Sequence, residues 1–277
     1  MPGERNFRVG FSRLRFRKGH AHDETMMASA DSAFDRGNWG MDAAQVAAVS
    51  LVTAFAVALW ARNASFDRAL ACLLTVQVLG LCLPWRLPRA DRSDASVWAE
   101  TLVAEIAAIG AVVVAVAGNV SWVSATGTWQ WYAVAPVVGL GLLLLGRTRL
   151  TSVFSGELAS VLGPTRRSHR ASRAFSIVTS TAGEEALYRG PVLLIPHPAS
   201  LSLLGAAAFV AMHHVLRGSN SSGRGAVTVI TVEVVSAISL LALVKFSGSI
   251  YPAVVAHAVN NMPGFITELQ REDVGKS

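Results

Sequence analysis

The stretch Gly183-Glu184-Glu185-Ala186-Leu187-Tyr188-Arg189-Gly190 sets three ionisable side chains in the middle of an otherwise apolar run from 174 to 195. One charge at the centre of a membrane helix costs on the order of 3 kcal/mol on insertion scales, so three together demand partners or a watery cavity. Glu185 and Arg189 stand at i and i+4 on a helix, close enough for an ion pair that lowers the cost of both. Glu184 lies about 100° around the helix from Glu185 and has no partner on its own helix. A carboxylate so placed resists ionisation, as a general base that works near neutral pH must.

Around this stretch the chain is greasy. Of its 277 residues 52% are hydrophobic, and the mean hydropathy is +0.44, too high for an ordinary soluble domain. Apolar runs recur at 43–60, 69–85, 98–117, 129–145, 174–195, 200–216, 226–244 and 250–266. They predict an all-α fold, a polytopic membrane helix bundle of about eight transmembrane helices, several of them shorter than the roughly 20 residues of a full span.

Charge tests that order. If the N-terminus is cytoplasmic, 20 of the 24 Lys and Arg residues fall on the cytoplasmic side, in 1–42, 86–97, 146–173, 217–225 and the C-terminal tail. Arg62, Arg68 and Lys245 fall on the other side, and Arg189 lies within the membrane. A span count wrong by one would scramble this bias, so both termini are expected in the cytoplasm. The net charge of +6 therefore points to an anionic bilayer surface and not to nucleic acid. Residues 1–42 read as a basic tail in which Phe7, Phe11 and Leu14 recur at helical spacing, so a short helix on the membrane surface is an alternative. No cleaved signal peptide is expected there. Cys72 and Cys82 share one predicted helix, about 15 Å apart by its rise, and cannot bridge to each other.

Two further polar faces follow the acidic stretch. Phe209 and His213 share one face of a helix, as do His257 and Asn261. In a bundle such faces turn inward, away from lipid. Singly, a histidine in an apolar run is more often a packing residue than a catalyst; three polar faces in succession shift that balance toward chemistry. His214 points away from His213, and His197 sits in a short loop between two prolines. Glu105 reads either as a helix-facing structural acid or as one nearer the membrane interface, and Glu233 either lines the same cavity or makes a polar contact between helices. Pro191 and Pro263-Gly264 mark backbone breaks, the latter expected to end the last helix just past Asn261.

Glu-Glu-x-x-x-Arg at 184–189, Phe-x-x-x-His at 209–213 and His-x-x-x-Asn at 257–261, in that order, resemble the CAAX protease and bacteriocin-processing (CPBP, or Abi) family. That family includes type II CAAX prenyl endopeptidases and lysostaphin-resistance-like membrane proteins. The resemblance covers about residues 150–268. With the charge and hydropathy pattern it divides the chain into a basic tail (1–42), four scaffold helices (43–145), a catalytic membrane region (146–268) and a short tail (269–277). It also implies an integral protein of a bacterial cell membrane, an intramembrane endopeptidase acting on a membrane-associated protein or peptide. In it Glu184 and His213 activate a water, His257 and Asn261 hold the oxyanion, Glu185 and Arg189 support Glu184, and Phe209 packs beside the site. No cofactor is expected, and zinc held by Glu184, His213 and His257 is the alternative, although His-Glu-x-x-His is absent. A proton- or ion-coupled transporter and a non-catalytic scaffold of the same fold are the competing functions.

Overall fold

The computed structural model describes residues 43–62, 64–82, 93–117, 129–146, 150–194, 199–217 and 224–273. The basic tail and His197 lie outside them. The helices are α1 (Ala43–Ala61), α2 (Ser65–Cys82), α3 (Asp94–Ala117), α4 (Trp129–Leu145), α5 (Leu150–Phe154), α6 (Glu157–Leu162), α7 (Arg167–Glu184), α8 (Pro191–Leu194), α9 (Ala199–Arg217), α10 (Arg224–Ser247) and α11 (Tyr251–Gln270). Between α7 and α8 the chain makes a π-helical turn, Glu185–Arg189.

The eight apolar runs correspond to α1, α2, α3, α4, the α7–α8 unit, α9, α10 and α11. Among the described residues, three stretches are long and apolar enough to cross a membrane: Ala43–Ala61, Asp94–Ala117 and Val227–Ser247. Trp129–Leu145 and Ala199–Val215 are shorter apolar helices. Eight full spans are thus more than length and composition license. Two boundaries also move. The fifth helix starts at Arg167, before the apolar run at 174, and the segment expected as one long loop holds α5, α6 and the first turns of α7. The last helix continues through Pro263 to Gln270. Proline there forfeits one backbone donor, and in the following turn the Thr267 hydroxyl donates to the Pro263 carbonyl at 2.8 Å.

Contacts fix the helix directions. On α3 and α7, Asp94 accepts from Ser168 (2.6 Å), Thr101 meets Ser172, and Glu105 accepts from Ser176 and from Thr179 (3.2 Å), so these helices run parallel. On α7 and α11, Arg173 meets Glu268 (3.1 Å), Thr181 meets Asn261 (3.0 Å) and Glu185 meets His257 (2.8 Å), so these run antiparallel. Alternating up-and-down rods give this pattern.

One helix, α3, is inside-out compared with a helix of a soluble bundle. On α3 the buried residues are Glu105, Ala107, Ala108, Ala111 and Ala115, whereas Leu102, Val103, Ile106, Val113 and Val116 face outward. Large apolar side chains directed outward and small or polar ones inward are what a lipid surround selects. Small residues let backbones approach. A Cβ on Gly183 would lie 2.5 Å from the Ala108 Cα, and one on Gly139 would lie 2.5 Å from the Ala256 carbonyl oxygen.

Gly183→Ala is accordingly expected to cost about 1–3 kcal/mol by overpacking, read as a lowered melting temperature of the purified protein in detergent. Gly141→Ala, where a Cβ meets nothing within 4 Å, is the matched control and should leave stability within about 0.5 kcal/mol.

Candidate active site

Three helices and the π-turn build the site. Glu184 is the last residue of α7 and Glu185 the first of the π-turn, whose Gly190 amide bonds the Glu185 carbonyl at 2.9 Å. Such single π-turns are a recurrent feature of functional sites. Both carboxylates reach the same imidazole. His257 Nδ1 lies 2.8 Å from Glu185 Oε1, and its Nε2 lies 3.9 Å from Glu184 Oε2. His213 Nε2 lies 3.4 Å from the same Glu184 oxygen. The imidazoles beside Glu184 are therefore supplied by α9 and α11.

The other nitrogens settle the tautomers. Glu185 accepts only, and so does the Phe209 carbonyl, 3.1 Å from His213 Nδ1. Each neutral imidazole thus carries its hydrogen on Nδ1 and turns a lone pair at Nε2 toward Glu184 Oε2. That oxygen is buried and receives no hydrogen bond from the protein. Three acceptors sharing one centre attract whatever offers hydrogens or positive charge, a water, an extra proton or a metal ion. The Glu184 and His213 side chains are 15% and 19% accessible, and that of His257 is 5% accessible.

Behind the acceptors sits the supporting pair. Arg189 Nη1 donates to Glu185 Oε1 at 2.7 Å, with the two side chains 1% and 0% accessible. The guanidinium lies 4.1 Å from the centre of the Phe209 ring, a cation–π contact that covers its other face. Phe209 also packs at 4.0 Å against His213 and edge-on at 6.2 Å against His257, wedged between the two histidines. Tyr188 stacks edge-on against Phe209 and donates to Gln77 of α2 at 2.6 Å.

All seven residues singled out in the sequence meet here except Asn261, one turn along α11 from His257, whose amide nitrogen donates to Thr181. Glu105 serves α7 through Ser176 and Thr179, as a structural acid would. Glu233 is buried on α10, His214 is half-buried, and neither belongs to the acceptor cluster. Thr181, Tyr188 and Gln77 were not legible as site residues, since an isolated hydroxyl or amide in a helix more often serves its own backbone or a neighbour.

Whether these residues suit a metal can be asked of their chemistry. One carboxylate oxygen and two imidazole nitrogens, all within 4.8 Å of one another, form a borderline-soft three-ligand set. Both imidazoles also hand their second nitrogen to an acceptor, as metal-binding histidines do. The set fits zinc.

Comparison with known proteins adds one match. Residues 170–263, which hold every residue of this site on α7, α9 and α11, match the family model described as type II CAAX prenyl endopeptidase Rce1-like. No curated protein and no solved structure matches the chain. Residues 170–263 are thus similar to the Rce1-like family of CAAX proteases, the family that the chain's three motifs resemble.

Proposed function

We propose that this protein is an intramembrane endopeptidase, hydrolysing a peptide bond of a membrane-associated protein or peptide with a water activated by Glu184 and His213. Similarity to a protease family over residues 170–263 supports a peptidase, and the long apolar helices support an integral membrane protein. The observation that carries the chemistry is the convergence of Glu184 Oε2, His213 Nε2 and His257 Nε2 with both Nδ1 hydrogens already committed.

A water seated on these acceptors gives its hydrogens to them and turns an oxygen lone pair outward. As that oxygen bonds to the scissile carbonyl carbon, Glu184 takes the proton and His213 keeps the water aligned. The carbonyl oxygen becomes an oxyanion, which the Asn261 amide can meet. Neutral His257 has spent its hydrogen on Glu185, so it donates to the oxyanion only when doubly protonated, a state that the carboxylates on either side of it offset. Collapse of the intermediate breaks the C–N bond, and Glu184 returns its proton to the leaving nitrogen. Glu185 and Arg189 hold the π-turn and His257 in register. Were zinc bound, Glu184, His213 and His257 would hold it, and the ion would polarise the carbonyl and acidify a bound water.

The substrate class proposed is a C-terminal CAAX-type segment at the membrane surface, with both termini of the enzyme cytoplasmic. A transmembrane proton relay would string its ionisable groups along the bundle; here they close into one cluster.

With an internally quenched, farnesylated CAAX peptide in detergent, Glu184→Gln and His213→Ala should each lower kcat by about 100-fold or more while melting temperature holds. Parental turnover by Glu184→Gln would remove the base. Arg189→Ala should instead cost about 3–5 kcal/mol of stability, because it leaves Glu185 buried beside a single imidazole; melting in detergent reads this. Dialysis against a chelator is expected to leave cleavage unchanged, and a loss that zinc alone restores would transfer the water's activation to the metal.

A further inference from the structure

Building on the assignment of Glu184 as base, we infer that Thr181 is a positioning residue that aims the Asn261 amide at the oxyanion. Thr181 lies three residues before Glu184 on α7 and is buried, 4% accessible. Its hydroxyl makes two hydrogen bonds of opposite sense. It donates to the Ile177 carbonyl of its own helix at 2.6 Å, and it accepts from Asn261 Nδ2 of α11 at 3.0 Å. A threonine hydroxyl has one hydrogen, so the first bond determines the second: toward α11 Thr181 can only accept.

This one-way bond selects between the two orientations of the asparagine. With its nitrogen toward Thr181, the amide is satisfied; turned over, its carbonyl oxygen would face an oxygen with no hydrogen to give. Asn261 is thereby held with one N–H on Thr181 and the second N–H free to donate. Asn261 also stands four residues after His257, on the same face of α11. Since Thr181 and Glu184 belong to one helix, the hydroxyl sets the donor's position relative to the base, the spacing a tetrahedral intermediate must bridge. Neither Glu185 nor Arg189 touches Asn261, so their network does not perform this task.

Thr181→Val keeps the shape and removes the acceptor. With the quenched farnesylated peptide it should lower kcat about tenfold with KM unchanged, since the lost interaction matters only as the oxyanion forms. Thr181→Ser, which keeps the hydroxyl, should restore the rate. In an Asn261→Ala background Thr181→Val should have no further effect on kcat, because the group it positions is gone. Parental kcat for Thr181→Val, or the same tenfold loss with and without Asn261, would overturn the role and leave Thr181 as packing. Activity in Glu184→Gln, or no cleavage by the parent protein, would overturn the hydrolase assignment itself, so the two failures are told apart.

Discussion

Burying a guanidinium and a carboxylate where water cannot follow is the constraint on which this fold turns. Glu185 and Arg189 are enclosed almost completely, so their mutual attraction must be supplemented by further contacts to offset the desolvation of both. His257 supplies a hydrogen to the carboxylate, and Phe209 supplies a ring face to the cation. Those two partners come from α11 and α9. Satisfying one ion pair therefore recruits two other helices to the π-turn, and the same recruitment delivers His213 and His257 to Glu184. The electrostatic requirement and the catalytic geometry are met by one set of contacts.

This arrangement explains why two adjacent carboxylates can have different tasks. Glu185 Oε1 takes hydrogen bonds from both Arg189 and His257, which suits Glu185 to hold position. Glu184, 15% accessible and facing only acceptors, keeps the capacity to take a proton. Neighbours on a regular helix diverge by about 100°, yet here both reach one imidazole, from its two nitrogens. The imidazole spans the divergence, with the wide turn that begins at Glu185 placing the pair at the bundle's interior.

Much of the site was visible before the structure because a charge in an apolar run is conspicuous: its cost identifies Glu184, Glu185 and Arg189 without an alignment. The histidines at 213 and 257 stood out for the same reason. The rest was hidden for physical causes. A π-turn differs from an α-turn by one backbone bond, Gly190 to Glu185, which no side-chain pattern reports. The entry to α7 and its first turns carry Arg166, Arg170 and Arg173, and look like a loop until Asp94, Asp273 and Glu268 are seen opposite. Pro263 reads as a stop, yet the helix runs through it to Gln270. Thr181 was lost among Ser172, Ser176, Thr179 and Ser180, since each of these can serve a nearby carbonyl or a facing helix.

The helices before α7 have a part in this that their apolar sequences conceal. Gly183, directly ahead of the two glutamates, sits against the backbone of Ala108, and three residues earlier on α3 Glu105 takes hydrogen bonds from Ser176 and Thr179. At the other end of the π-turn, Tyr188 stacks on Phe55 of α1 and is bonded to Gln77 of α2. A π-turn is an intrinsically uncommon backbone state and persists when its surroundings over-determine it. Here it is clamped at its entrance by α3 and near its exit by α1 and α2, while α9 and α11 close on its face. Residues 170–263 carry the reacting groups, but the π-turn that aims them is held in part by side chains from outside that segment. The N-terminal helices are thus part of the machinery of position, and a segment cut to the matched residues would lose the clamps on the turn before it lost any group that does chemistry.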